Sequence, residues 1–245
     1  MRAFTRCARY LVPGVLVIVV MSLGRPCVAQ EIGAPAGGDV HELPGVVFAP
    51  GGFLELIAPI GDRIALNLYG FYYFASTDFG GVKVPIAMVD VPIRTTKFLT
   101  ITPSYLYYEV PPPSELSELP GGAPETFNEH QFRIDGTVKF SIRKLEIADR
   151  SMYVRRFLPT DDINRYRQRI FIAHPLAVDG RIWKPFATYE AFYDAGKGWN
   201  KNRVGLGVTL PLHKRVLFQP SYIWESNRGV TDISYLQFGL IVTTK

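Results

Sequence analysis

Cysteine is scarce, and its placement removes it from the argument. The chain has two, Cys7 and Cys27, and both fall in the first 29 residues. Those residues read as a secretory signal peptide. Arg2, Arg6 and Arg9 form a basic start without an acid, Leu11 to Leu23 is an apolar stretch, and Cys27-Val28-Ala29 is a small-residue ending. Cleavage is expected between Ala29 and Gln30. Arg25 and Pro26 stand where a lipoprotein signal would need small residues before Cys27, so a lipid anchor is not expected. A mature chain cut there has no disulfide framework and no cysteine metal site.

Net charge is nearly absent too. The full chain carries 27 Lys and Arg against 22 Asp and Glu. Removing the four arginines of residues 1–29 leaves 23 basic residues against those 22 acidic ones, a net of +1. The basic pI therefore belongs largely to the leader, and overall charge gives no reason to expect a nucleic-acid partner. Long apolar runs are missing from residues 30–245, so no transmembrane helix is expected there. Helical periodicity is missing as well. Histidine is limited to His41, His130, His174 and His213, at spacings that suit no metal site.

What is present is alternation. In NEHQFRIDGTVKFSIR, Asn128 to Arg143, one set of alternate residues is Glu129, Gln131, Arg133, Asp135, Thr137, Lys139, Ser141 and Arg143. The other is His130, Phe132, Ile134, Gly136, Val138, Phe140 and Ile142. A period of two with one polar and one apolar face is a β-strand at a boundary between two media. Similar strands are predicted over 45–50, 52–59, 63–75, 82–93, 96–110, 127–143, 145–157, 163–176, 181–193, 201–211, 214–226 and 232–243, after a Gly- and Pro-rich lead-in over 30–44. The strand 145–157 alternates less cleanly, and a bulge near Asp149 is expected to shift its phase.

The connections alternate as well. Tight segments (IGD, RT, Lys144, AVDG, LH) take turns with longer ones (STDFGG, PPPSELSELPGGAPETF, LPTDD, DAGKGWN, NRGVT). Outer-membrane barrels have short periplasmic turns and longer external loops, whereas a Greek-key sandwich has no reason for that rhythm. A soluble barrel would put its apolar face inside, and a membrane barrel inverts this. Aromatic residues favour inversion. Trp183 and Tyr193 share one face of 181–193, about 33 Å apart along a strand, or ~24 Å in depth at ~45° tilt. The apolar band between aromatic girdles is about 25 Å. Tyr72 and Phe74, Tyr105 and Tyr107, and Tyr222 and Trp224 complete the expected girdle. The fold class read from these patterns is all-β: an antiparallel transmembrane β-barrel of about twelve strands over 45–245, with ten as the alternative count.

INRYRQR (Ile163 to Arg169), WKPFATYEAFYD (Trp183 to Asp194) and NRVGLGVTLPL (Asn202 to Leu212) follow a Glu129-His130 strand. In that order, from about Asn128 to Val242, the chain resembles a family of bacterial outer-membrane barrels known only as a domain of unknown function. The resemblance implies a signal peptide and a membrane barrel, with no known activity or cofactor. It also implies two partners, outer-membrane lipid and the barrel-assembly machinery. Such barrels commonly end on an aromatic residue; here the last residues are Thr243-Thr244-Lys245, with Tyr235 and Phe238 further back.

The polar rows predict a lumenal charge ladder of Glu129, Arg133, Asp135, Lys139, Arg143, Arg165, Arg167, Arg169, Glu190 and Arg203. With a Val178-Asp179 turn, Arg167 would lie opposite Glu190. Interior charges need partners, so the bland reading is a filled, narrow bore. The sharper one is a basic constriction that selects an anion or small solute. No enzyme is expected, because no histidine has a serine within two residues and no nucleophile stands out. A lipid-modifying enzyme of the outer membrane is the remaining alternative. No cofactor or metal is expected.

Overall fold

The computed structural model describes residues 47–74, 83–110, 127–158, 162–228 and 232–244. The expected signal peptide, the lead-in and the PPPSELSELPGGAPETF loop up to Thr126 lie outside them. Among the described residues no helix is long and apolar enough to cross a membrane, and the regular structure is strand.

The strands are β1 (Val47–Pro59), β2 (Ala65–Phe74), β3 (Lys83–Asp90), β4 (Ile93–Arg94), β5 (Leu99–Val110), β6 (Phe127–Ile142) and β7 (Leu145–Phe157). They continue with β8 (Ile163–Ala173), β9 (Leu176–Val178), β10 (Arg181–Asp194), β11 (Gly198–His213), β12 (Val216–Asn227) and β13 (Ile233–Thr243). Eleven close a ring, and the short β4 and β9 stand outside it. Neighbouring strands pair antiparallel except at the seam, where β1 and β13 run parallel from Val47↔Ile233 to Ile57↔Thr243. An odd number of up-and-down strands forces one parallel pair.

The reduction from the expected twelve has one cause. The pair Gly51-Gly52 reads as a break between 45–50 and 52–59, but the backbone runs through it as a single strand. A Cβ on Gly51 would stand 2.7 Å from the carbonyl oxygen of Tyr72 and 2.6 Å from the Tyr73 ring. The glycine is there for close approach and not for a turn.

Two other expectations are corrected. The segment DAGKGWN closes as the short turn 195–197, because Gly196 (φ 85) and Gly198 (φ 74) adopt the left-handed backbone that shortens a hairpin. The expected bulge at Asp149 is absent: β6 and β7 stay in one register from His130↔Phe157 to Ile142↔Leu145. The irregular look of 145–157 has another origin. Met152 and Val154 point inward beside the arginines, while Asp149 and Ser151 take the outward face.

The polarity is inverted. Phe132 and Ile134 are 58% and 51% exposed, whereas their neighbours Glu129, Arg133 and Asp135 are buried in the bore. Leu54, Leu68, Leu206, Trp224, Phe238 and Leu240 are likewise large apolar side chains on the outside. Water would penalise such a surface, and acyl chains would not.

An arginine at the middle of the outer face tests this. Ile134→Arg is expected to cost about 2–4 kcal/mol of folding stability in lipid vesicles, measured by denaturant titration. An unchanged midpoint would mean that this face does not meet lipid.

Candidate functional site

The bore is built from alternate residues of every ring strand, so its chemistry follows from register. On β6 the inward row includes Glu129, Gln131, Arg133 and Asp135. On β7 it includes Arg150, Met152, Val154 and Arg156. β8 contributes Arg165, Arg167 and Arg169, β10 Glu190, Phe192 and Asp194, and β11 Lys201 and Arg203.

These side chains form an ionic core. Glu190 is 5% exposed. Arg167 Nη2 donates to its Oε1 at 2.8 Å, and Arg167 Nε does so at 3.1 Å. Arg150 Nη2 lies 3.6 Å away and Arg203 Nη1 3.9 Å away. Arg203 also pairs with Glu225, which Lys201 Nζ reaches at 2.7 Å. Towards the longer loops, Arg165 clasps Asp194 through Nε (2.5 Å) and Nη2 (2.7 Å). Arg156 clasps Glu129 in the same fork, at 2.5 and 2.7 Å. Tyr108 donates its hydroxyl to the same carboxylate. Such bidentate pairs fix geometry as well as charge.

Phe192 sits among these groups at 2% exposure. Its ring centroid is 4.7 Å from the Arg167 guanidinium carbon, 5.0 Å from that of Arg203, 5.6 Å from that of Arg165 and 5.7 Å from Lys201 Nζ. A ring in that position offers its electron-rich faces to the cations around it. The ring and these ion pairs pack against one another within the bore.

The expected partnership of Arg167 with Glu190 needs a change of register. The turn is Asp179-Gly180, with φ of 46° and 72°, and not Val178-Asp179. Asp-Gly is the dipeptide that a tight hairpin with two left-handed residues favours. Arg169 then stands directly opposite Glu190, and Arg167 stands opposite Phe192. The ion pair with Arg167 forms along the diagonal, which long side chains span.

Other predicted residues fall in several places. Arg133 is buried, and its guanidinium nitrogens donate to the sulfurs of Met88 (2.9 Å) and Met152 (3.3 and 3.4 Å). Asp135 is buried and accepts from Thr137 at 3.0 Å. Lys139 is exposed at the short-turn end of the bore. Arg143 is not in the bore: it occupies the tight β6–β7 turn, exposed, at φ 55°. A strand phase carried through to residue 143 placed it wrongly, because the strand ends at Ile142. Sequence reading left Arg150, Arg156, Lys201, Phe192, Asp194 and Glu225 out of the ladder. The first two were hidden by the supposed bulge.

The girdle residues Tyr105, Tyr107, Trp183, Tyr193, Tyr222 and Trp224 all lie on the outer face, partly or fully exposed. So does Tyr72; the side chain of Phe74 lies outside the described residues. Trp199, which packs its ring 5.4 Å from that of Tyr193, joins them. His130 also faces outward, with Nδ1 2.5 Å from the Tyr105 hydroxyl. On the same outer surface Ser151 donates to Gln168 Oε1 at 2.7 Å, and Gln168 donates to Asp149. No described serine hydroxyl hydrogen-bonds a histidine, and no described group of three His, Cys, Asp or Glu is arranged for a metal ion.

Residues 69–234 match the profile of a family described as "Protein of unknown function (DUF2490)". The chain belongs to that family. No curated protein matches this DUF2490 chain. Among solved structures it is similar to LpxR from Salmonella typhimurium, at 10% identity and a TM-score of 0.47 over 74% of this chain and 84% of that one. It is similar also to the β domain of the Bordetella autotransporter BrkA, at 14% and 0.45 over 71% and 81%. A third is OmpT, an outer membrane protein of Vibrio cholerae, at 11% and 0.37 over 69% and 52%.

Double-mutant cycles read by denaturant titration distinguish the diagonal pair from the facing one. Arg167 and Glu190 are expected to couple by about 1–3 kcal/mol, and Arg169 and Glu190 by clearly less. Equal couplings would remove the diagonal contact.

Proposed function

We propose that this chain is a non-enzymatic barrel of the Gram-negative outer membrane whose bore is closed by its own ionic core. The observation that carries the reading is Phe192, buried among four cations next to Glu190. A passage would need water along that axis, and the core fills it with bidentate pairs and a ring. Exposed aliphatic residues outside and charges inside support a lipid setting. The alternation of turn lengths supports short turns at the periplasmic end. Outer-membrane lipid and the barrel-assembly machinery are the partners this reading requires.

A second reading, a narrow passage for anions or small solutes, is favoured by one observation. Arg133 and Arg169 lie in the bore without a carboxylate in ion-pair range among the described residues. A bore with spare cations attracts anions.

Purified protein in a planar bilayer separates the two. The closed reading expects no discrete conductance steps from the wild type and a new steady conductance from Phe192→Ala. Anion-selective steps from the wild type would replace it with the second reading. Cell fractionation with and without boiling checks the location. The protein is expected with the outer membrane and with heat-modifiable gel mobility, and recovery from the soluble periplasm would overturn the placement.

A further inference from the structure

The two ends of the barrel differ in charge. At one end five short turns join β1 to β2, β4 to β5, β6 to β7, β9 to β10 and β11 to β12. These turns and the residues that directly flank them carry eight exposed cations against two exposed acids, Asp62 and Asp179. Every turn contributes. The first supplies Arg63, the second Arg94 and Lys97, and the third Arg143 and Lys144. Arg181 comes from the fourth, and Lys214 and Arg215 come from the fifth. None of the eight forms an ion pair within 4 Å among the described residues. At the opposite end the described surface sets Arg155, Lys197 and Arg228 against Glu109, Asp162 and Asp232. The segments that join strands there, 75–82, 111–126, 159–161 and 229–231, add five acids and no Lys or Arg. A merely solvated surface mixes the two signs, and the short-turn rim does not.

The excess lies around the bore and not in it. The cavity of about 600 Å³ at this end of the bore is lined by Lys139, Arg150 and Arg169 but also by Asp90, Asp135 and Glu146. Each turn of the rim, moreover, places an exposed apolar side chain close to its cation. Ile64 follows Arg63, Phe98 follows Lys97, Ile142 precedes Arg143, Ile182 follows Arg181, and Leu212 lies two residues before Lys214. Water on all sides does not suit that combination. The boundary between acyl chains and headgroups does, because the apolar group dips towards the chains while the long cation reaches the phosphates. The depth agrees. Arg181 is two residues beyond the girdle residue Trp183 on the outer face, about 5 Å further from the membrane centre at ~45° tilt.

We propose that the short-turn rim is a collar for anionic phospholipid, holding phosphatidylglycerol and cardiolipin headgroups of the adjoining leaflet in preference to zwitterionic ones. This rests on the membrane reading above and adds the class of lipid and the end of the barrel that selects it. Lys and Arg clusters at a membrane surface attract anionic headgroups. A zwitterionic headgroup brings its own ammonium group beside the phosphate and gains less from the same cations. The cations come from all five turns, as a leaflet surrounding the barrel requires and a partner docked on one side does not.

The test uses the full chain folded into phosphatidylcholine vesicles, with insertion verified by co-flotation and heat-modifiable mobility. A trace of spin-labelled phosphatidylglycerol or spin-labelled phosphatidylcholine is added, and electron paramagnetic resonance separates lipid held at the barrel from bulk lipid. At low salt the labelled phosphatidylglycerol is expected to associate about threefold more strongly than the labelled phosphatidylcholine. In about 1 M salt, where charges are screened beyond about 3 Å, the two are expected to approach parity. The combined variant Arg143→Gln, Lys144→Gln, Lys214→Gln and Arg215→Gln is expected to lose at least about half of the excess. Lys197→Gln with Arg228→Gln, at the opposite end, is expected to keep it. Equal association of the two lipids at low salt would leave the rim to an acidic partner in the water and overturn the proposal. So would a preference that persists in high salt or in the rim variant, or one that the opposite-end variant removes. A chain that does not co-float with the vesicles would instead overturn the membrane reading, and the collar with it.

Discussion

In hydrocarbon, a backbone amide or carbonyl without a partner finds no water to replace it. That constraint governs this molecule. Each ring strand must pair on both edges, so the sheet closes, and β1 is brought against β13. With eleven strands in the ring the seam is parallel. Bacterial outer-membrane barrels usually carry an even number of strands and avoid such a seam. Here the parallel pair completes the hydrogen bonding at the cost of bringing both terminal strands into the ring in the same direction. Closure also separates two media, and the period-two alternation of each strand then sends apolar side chains to one and polar ones to the other.

Closure creates the second problem, a bore lined with charge and partly shielded from water. Charges brought together in such a place must be answered by others. The solution is local and shared at once. Glu190 serves three arginines, Glu225 serves Arg203 and Lys201, and Phe192 lends its ring faces to the surplus. Arg133 resorts to methionine sulfurs. The excess is not spread evenly. It collects where Arg150 and Arg169 meet the wider part of the bore.

The outer surface shows a smaller departure. Asp149, Ser151, Tyr166 and Gln168 satisfy one another on the lipid-facing side of β7 and β8. This polar patch made 145–157 look irregular. The apparent loss of phase was a real change in what one face carries, and the strand kept its register throughout. Gly51-Gly52 misled in the opposite direction. Glycine pairs mark turns in most chains, yet here they allow two backbones and a tyrosine ring to come close. Both errors come from the same ambiguity: one residue type can answer a backbone need or a packing need, and the chain alone does not say which.

The sequence by itself determined the strand periodicity, the barrel class and the face on which Glu129, Arg133, Arg167 and Glu190 would lie, because a period of two needs no knowledge of neighbours. It also marked the tight hairpin at Asp179-Gly180, though not its two central residues. Only the tertiary structure decided which charges meet. A shift of two in the sum of partner numbers moves each contact by one pleat, so Arg169 faces Glu190 while Arg167 binds it across the diagonal. The count of eleven, the parallel seam and the pairing of Arg150 with Arg169 beside an open cavity likewise depend on contacts between strands distant in the chain. Local alternation carries no record of them.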